Sequence, residues 1–207
     1  MNRRWYFTLA ISLGLLAAPF LSVHAQNAEA PDAFIKRLSV DVLDTIKADK
    51  SIQGGDVSKI ATLVDTKIMP NVNFQRMTAS AVGRSWRSAT PEQQKRLEAE
   101  FKALLMRTYA GALSEVKDQS IVMRPLRMAE GDTEVIVRTE VKGRGDPIAL
   151  DYRVEKAGAT WKIYDLNVAS VWLVETYRTQ FAQEINANGI DGLIAKLAER
   201  NKGRQVK

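Results

Sequence analysis

Asp165 is the one acidic side chain whose setting suggests chemistry. It closes Trp161-Lys162-Ile163-Tyr164-Asp165, where alternation runs through aromatic and aliphatic residues. A carboxylate facing a pocket from such a strand has its pKa raised by burial and can act as a general acid or base. The rest of the chain offers it no helper. There is no cysteine, and the single histidine, His24, falls in a segment read below as a cleaved leader. Thiolate nucleophiles, Ser-His-Asp triads and His- or Cys-ligated metals are therefore excluded. No Walker-type loop and no Gly-x-Gly-x-x-Gly is present, so no nucleotide site is expected. Arg144-Gly145-Asp146 has the composition of an adhesion tripeptide, but it falls between two expected strands, where Gly and Asp serve turn geometry. No catalytic residue, metal ligand or cofactor is expected. An enzyme using Asp165 stays open as the alternative.

The chain has 207 residues, 26% charged and 45% hydrophobic, with a formal net charge of +6. These are the proportions of a folded domain. Arg3 and Arg4 precede an apolar stretch from Tyr6 to about Leu21, followed by Val23-His24-Ala25. That is a secretory leader with cleavage expected after Ala25. Its loss removes two arginines and lowers the net charge from +6 to +4. A charge that small and scattered does not point to nucleic acid. The mature chain is expected to be exported, with 26–201 as a single α+β domain and 202–207 as a basic tail.

The elements that would position any site follow from periodicity. Phe34, Leu38, Val42 and Ile46 recur every four residues and mark an amphipathic helix ending near Asp49. Gly54-Gly55 breaks it. Asp56 caps a second helix carrying Ile60, Leu63, Val64 and Ile68, which Pro70 ends. Short helical turns are expected over 74–82. Thr90-Pro91-Glu92-Gln93 opens a long helix with Leu97, Phe101, Leu104, Leu105, Tyr109 and Leu113 on one stripe. From Ser120 the period becomes two. Four strands are expected, over 121–125, 133–141, 148–155 and 160–168, joined by short turns as an antiparallel meander. Two helices follow, one with Tyr177, Phe181 and Ile185 ended by Asn188-Gly189, the other capped by Asp191. The fold class is α+β: a four-stranded antiparallel curved sheet covered on one face by long helices.

The inner faces are apolar. Leu63, Val64, Phe101, Leu105, Tyr109 and Leu113 come from the helices. Leu150, Tyr152, Tyr164, Leu166 and Val168 come from the sheet. They describe either a filled core, as in an adaptor protein, or a cone-shaped cavity.

The order and spacing of several segments resemble a known family. Ser88-Ala89-Thr90-Pro91-Glu92-Gln93 precedes a helix containing Tyr109-Ala110-Gly111-Ala112-Leu113. Trp161-Lys162-Ile163-Tyr164-Asp165 is followed by Gly189-Ile190-Asp191-Gly192-Leu193. Together with the leader, these segments are similar to the MlaC / toluene-tolerance family of periplasmic phospholipid-binding proteins, over about 32–201. The resemblance implies a cone-like sheet-and-helix unit with a helical subdomain, whose cavity holds phospholipid acyl tails as cargo and leaves the headgroup outside. It implies shuttling between an outer-membrane MlaA–porin complex and the inner-membrane MlaFEDB transporter, without enzymatic activity, by a monomer. Val171 then joins the expected lining. Ser170-Val171-Trp172 departs from the family's expected Gly-Val-Ser and brings Trp172 to the cavity's end. Arg84, Arg87 and Arg178 are candidate neighbours of the headgroup phosphate.

Overall fold

The computed structural model describes residues 29–202. The expected leader 1–25 and all of the basic tail except Lys202 lie outside that range.

Helix α1 spans Pro31–Ala48, with Pro31 in its first turn, where its missing N–H costs nothing, and Asp32 beside the positive helix end. Phe34, Ile35, Leu38 and Ile46 form its buried stripe. Asp49 ends α1 and caps the short α2 (Lys50–Gln53), its carboxylate accepting from the N–H groups of Ser51 and Ile52. Asp56 caps α3 (Val57–Leu63) in the same way. The helix then widens into a π-turn over Val64–Ile68 and tightens into a 3-10 turn at Met69–Asn71, where Pro70 stops it. Asn73 caps α4 (Phe74–Val82), its side chain accepting from the Arg76 N–H at 3.0 Å, where the sequence predicts only short helical turns.

Helix α5 spans Pro91–Ser114. Its start is a complete capping box. The Gln93 N–H donates to the Thr90 hydroxyl at 3.2 Å, and the Thr90 N–H donates to the Gln93 side chain at 2.9 Å. The long stripe suggests a helix lying along the sheet. In the structure α1 packs on the sheet, and α5 lies instead against α4 and the C-terminal helix.

The sheet contains five strands rather than four: β1 (Ser120–Met123), β2 (Glu134–Lys142), β3 (Ile148–Ala157), β4 (Thr160–Val168) and β5 (Val171–Trp172). They pair antiparallel in sequence order. The additional strand is only two residues long and follows the turn Ala169-Ser170, whose φ angles are 49° and 71°. Positive φ is normally supplied by Gly or Asn in such turns, and neither is present to signal this one. Between β3 and β4 the register shifts at Arg153/Val154: Arg153 faces Asp165, whereas Val154 faces Ile163. Tyr164 is the extra residue of this bulge. Trp161 and Ile163 therefore lie inward at one end of β4, and Leu166 and Val168 at the other.

Helix α6 spans Leu173–Lys202 with a break at Gly189, which takes φ 72° and ψ −175°. Only glycine adopts that conformation without strain. Gly192 is needed for a different reason: a Cβ there would lie 2.3 Å from the Asn188 Cβ. The two glycines of Gly189-Ile190-Asp191-Gly192 thus make a sharp bend. Gln93 reaches across to Asp191 at 3.0 Å and ties that bend to the start of α5.

Candidate functional site

Three separate apolar clusters make up the interior. One joins α4, α5 and α6 around Phe101, Phe181 and Ile194. A second joins α1 to β2, β3 and β4 around Phe34, Val137 and Val154. A third joins the end of α1 to α2 and α3 around Ile46, Ile60 and Leu63. Along their borders stand apolar side chains that remain only half-buried. Leu105 and Tyr109 border the first, Leu150 and Met123 the second, and Val64 and Leu113 the third. Leu166 touches the first two clusters, and Val42 the second and third. Half-buried apolar side chains at the edges of such clusters keep apolar surface that an elongated apolar ligand can cover.

The structure sorts the expected lining residues into different environments. Val64, Leu105, Tyr109, Leu113, Leu150, Leu166 and Val168 are half-buried. Burial raises the Tyr109 phenol pKa above its ordinary value. Leu63 and Tyr152 are buried core. The Tyr152 hydroxyl lies 3.4 Å from Ser39 Oγ, and burial raises its pKa too. Phe101 is fully buried, with ring centroids 5.8, 5.0 and 5.2 Å from Phe74, Tyr177 and Phe181. Tyr164 lies on the opposite face because of the bulge. Its hydroxyl donates to Glu134 at 3.0 Å, and the Arg76 guanidinium sits 3.7 Å over its ring. Trp172 pairs with Asn167 on that same outer face and stacks under Arg153 at 3.9 Å. Val171 is 51% exposed. Val42, on the α1 stripe, and Met123, on the first strand, also stand at these borders and are not among the expected lining residues.

Asp165 is held rather than presented. It is 1% exposed. Its Oδ1 accepts from the N–H groups of Leu166 and Val174 at 2.8 and 3.1 Å, and its Oδ2 from Arg153 at 2.8 Å. These bonds pin the start of α6 to β4. Burial raises the carboxyl pKa, while the backbone donors and Arg153 pull it down. Because the net shift is upward, the folded chain holds this proton more tightly than the unfolded chain. Its contribution to stability therefore falls as pH rises from the ordinary Asp value through the raised one. Asp165→Ala leaves two backbone N–H groups and the Arg153 Nη1 without their acceptor, while Arg153 Nη2 keeps Glu175 at 3.2 Å. The expected loss is about 3 kcal/mol, a fall of roughly 6–12 °C in melting temperature by calorimetry.

Arg84, Arg87 and Arg178 gather around one groove, together with Arg76. That groove shares no lining residue with the half-buried row of Leu105, Tyr109, Leu150 and Leu166. Among the described residues, no cluster of three or more His, Cys, Asp or Glu could hold a metal ion. No described helix is long and apolar enough to cross a membrane.

Fold and site together define an α+β protein with an apolar, incompletely merged interior. The chain belongs to the MlaC family: residues 36–199 match the family model described as MlaC protein. It is 28% identical over 195 residues to the toluene tolerance protein ttg2D of Pseudomonas putida, covering 90% of this chain and 89% of the relative. It is 24% identical over 202 residues to the intermembrane phospholipid transport system binding protein MlaC of Haemophilus influenzae, covering 95% of this chain and 92% of the relative. A solved structure superimposes with a TM-score of 0.80 at 48% identity, covering 84% of this chain and 97% of the other. It is a phospholipid-binding protein from Ralstonia solanacearum, described as in complex with a phospholipid.

Proposed function

We propose that this protein is a periplasmic phospholipid carrier that buries acyl tails among the half-buried side chains where its three apolar clusters meet. The observation that carries the reading is that unmerged interior, in a chain 48% identical to a structure described as holding a phospholipid. In this reading Val64, Leu105, Tyr109, Leu113, Leu150, Leu166 and Val168 line the cavity. Residues 26–201 act as one domain and as a monomer once the leader is removed.

The physics explains why a carrier is needed. Two acyl chains carry roughly 30 methylenes, and at about 0.8 kcal/mol each their exposure to water costs more than about 20 kcal/mol. A lipid cannot cross an aqueous compartment alone at a useful rate. Burial alone solves this problem and requires no acid, base, metal or nucleotide. Since a lipid in a bilayer is already out of water, its transfer to the carrier is nearly balanced in free energy. Direction must then be set by partners. In this reading those are the outer-membrane MlaA–porin complex and the inner-membrane MlaFEDB transporter, and the outcome of the transfer is outer-membrane lipid asymmetry.

Mass spectrometry of protein purified under native conditions tests the reading. The expected result is a mass above that of the polypeptide, with phospholipid recovered by organic extraction. Lipid-free protein that also fails to take up phospholipid from vesicles would overturn it.

A further inference from the structure

We propose that the groove between α4, the 83–88 turn and the first half of α6 docks an acidic, partly apolar polypeptide segment of a partner protein. The inference goes beyond the lipid reading and does not rest on it. The groove encloses about 960 Å3. Arg84, Arg87 and Arg178 stand around it, Trp86, Ala182 and Ile185 contribute apolar lining, and no Asp or Glu lines it. Arg76 also lines it, but Glu134 and Glu155 already pair with that guanidinium. The other three are open. Arg84 and Arg87 are exposed and form no ion pair among the described residues. Arg178 commits only its Nε, to the Ser80 carbonyl at 2.9 Å, which orients the side chain and leaves its terminal nitrogens available.

The backbone holds this arrangement in place. Gly83 takes φ 71° and ψ −138° at the end of α4, turning the chain into the 3-10 turn Gly83–Ser88 that carries Arg84, Trp86 and Arg87. Trp86 packs against the α4–α5–α6 cluster, and its carbonyl accepts from the Gln94 side chain at 3.1 Å. A braced turn loses little conformational freedom on binding.

The chemistry selects the occupant. Guanidinium forks match carboxylates in bidentate geometry. An apolar floor beside them takes the aliphatic or aromatic side chains that anchor an interface. A free phosphate would leave that floor unused, and a flat bilayer would not enter a concave groove. A polypeptide segment that interleaves Asp or Glu with Leu or Phe satisfies both parts.

The test uses the mature chain and a labelled synthetic peptide of alternating Asp, Glu and Leu, followed by fluorescence anisotropy. Binding is expected to weaken as salt rises, because the charges are exposed to solvent. The double variant Arg84→Glu/Arg87→Glu is expected to bind about a hundredfold more weakly, about tenfold for each arginine. Its circular dichroism and its bound lipid should match those of the unaltered protein. Equal binding by both proteins, or none by either, overturns the proposal. A variant that folds but loses lipid overturns it by assigning the arginines to the headgroup. Arginine-dependent flotation with phosphatidylglycerol vesicles, without peptide binding, overturns it in favour of a membrane-facing patch.

Discussion

Leu150→Glu is expected to yield a folded protein that carries no lipid. Leu150 sits on β3 between Thr139 of β2 and Val168 of β4, and its side chain is half-buried at the border of the α1–sheet cluster. The backbone contribution survives the change, since the Thr139 hydroxyl donates to the Leu150 carbonyl, not to its side chain. A carboxylate among acyl chains must stay protonated or pull water in. Keeping a Glu neutral at pH 7 costs about 4 kcal/mol, roughly a thousandfold in affinity. The cost disappears as pH falls to the ordinary Glu value, so lipid uptake should recover on acidification. Circular dichroism reads the fold, and native mass spectrometry reads the cargo. Unfolded protein would place Leu150 in a filled core. Folded protein that keeps its lipid at pH 7 would show that the tails lie elsewhere.

Local chemistry made much of the fold legible. Thr90-Pro91-Glu92-Gln93 specifies a helix start by three independent devices, and all three operate in the structure. Gly189 and Gly192 mark a bend that no other residue fits. What stayed hidden depends on contacts distant in sequence. Ala169 and Ser170 occupy positive φ without being Gly or Asn, so the turn into β5 has no signal. The bulge at Tyr164 is invisible to a period-two reading. It moves Tyr164 to the outer face, where Arg76 covers it, and puts Asp165 beside Arg153. The stripe of α5 gave the right apolar face but not its partner. Periodicity says that a side chain points inward. Whether it meets a packed neighbour or open space depends on how helices far apart in sequence come together. Phe101 and Tyr109 share a stripe, yet one is sealed in core and the other borders it.

That contrast along a single helix sets the second large effect. Phe101→Ala is expected to cost about 4 kcal/mol, because its ring is fully buried and meets three other aromatic rings at 5.0–5.8 Å. Two of those contacts are edge-on, the geometry in which ring quadrupoles attract. Removing the ring leaves a void bounded by α4 and α6. In a domain of this size the melting temperature should fall by roughly 8–16 °C. Leu105→Ala, one turn further along α5, is expected to cost less than about 2 kcal/mol, because that side chain is only half-buried and part of its surface has no packed neighbour to lose. The two variants should separate in a second measurement as well. Lipid per protein is expected to fall for Leu105→Ala and to stay unchanged for Phe101→Ala below its melting temperature. Equal loss of stability from both substitutions would mean that Leu105 is packed as tightly as Phe101. The α5 stripe would then be solid core along its length, and the lipid would have to bind elsewhere.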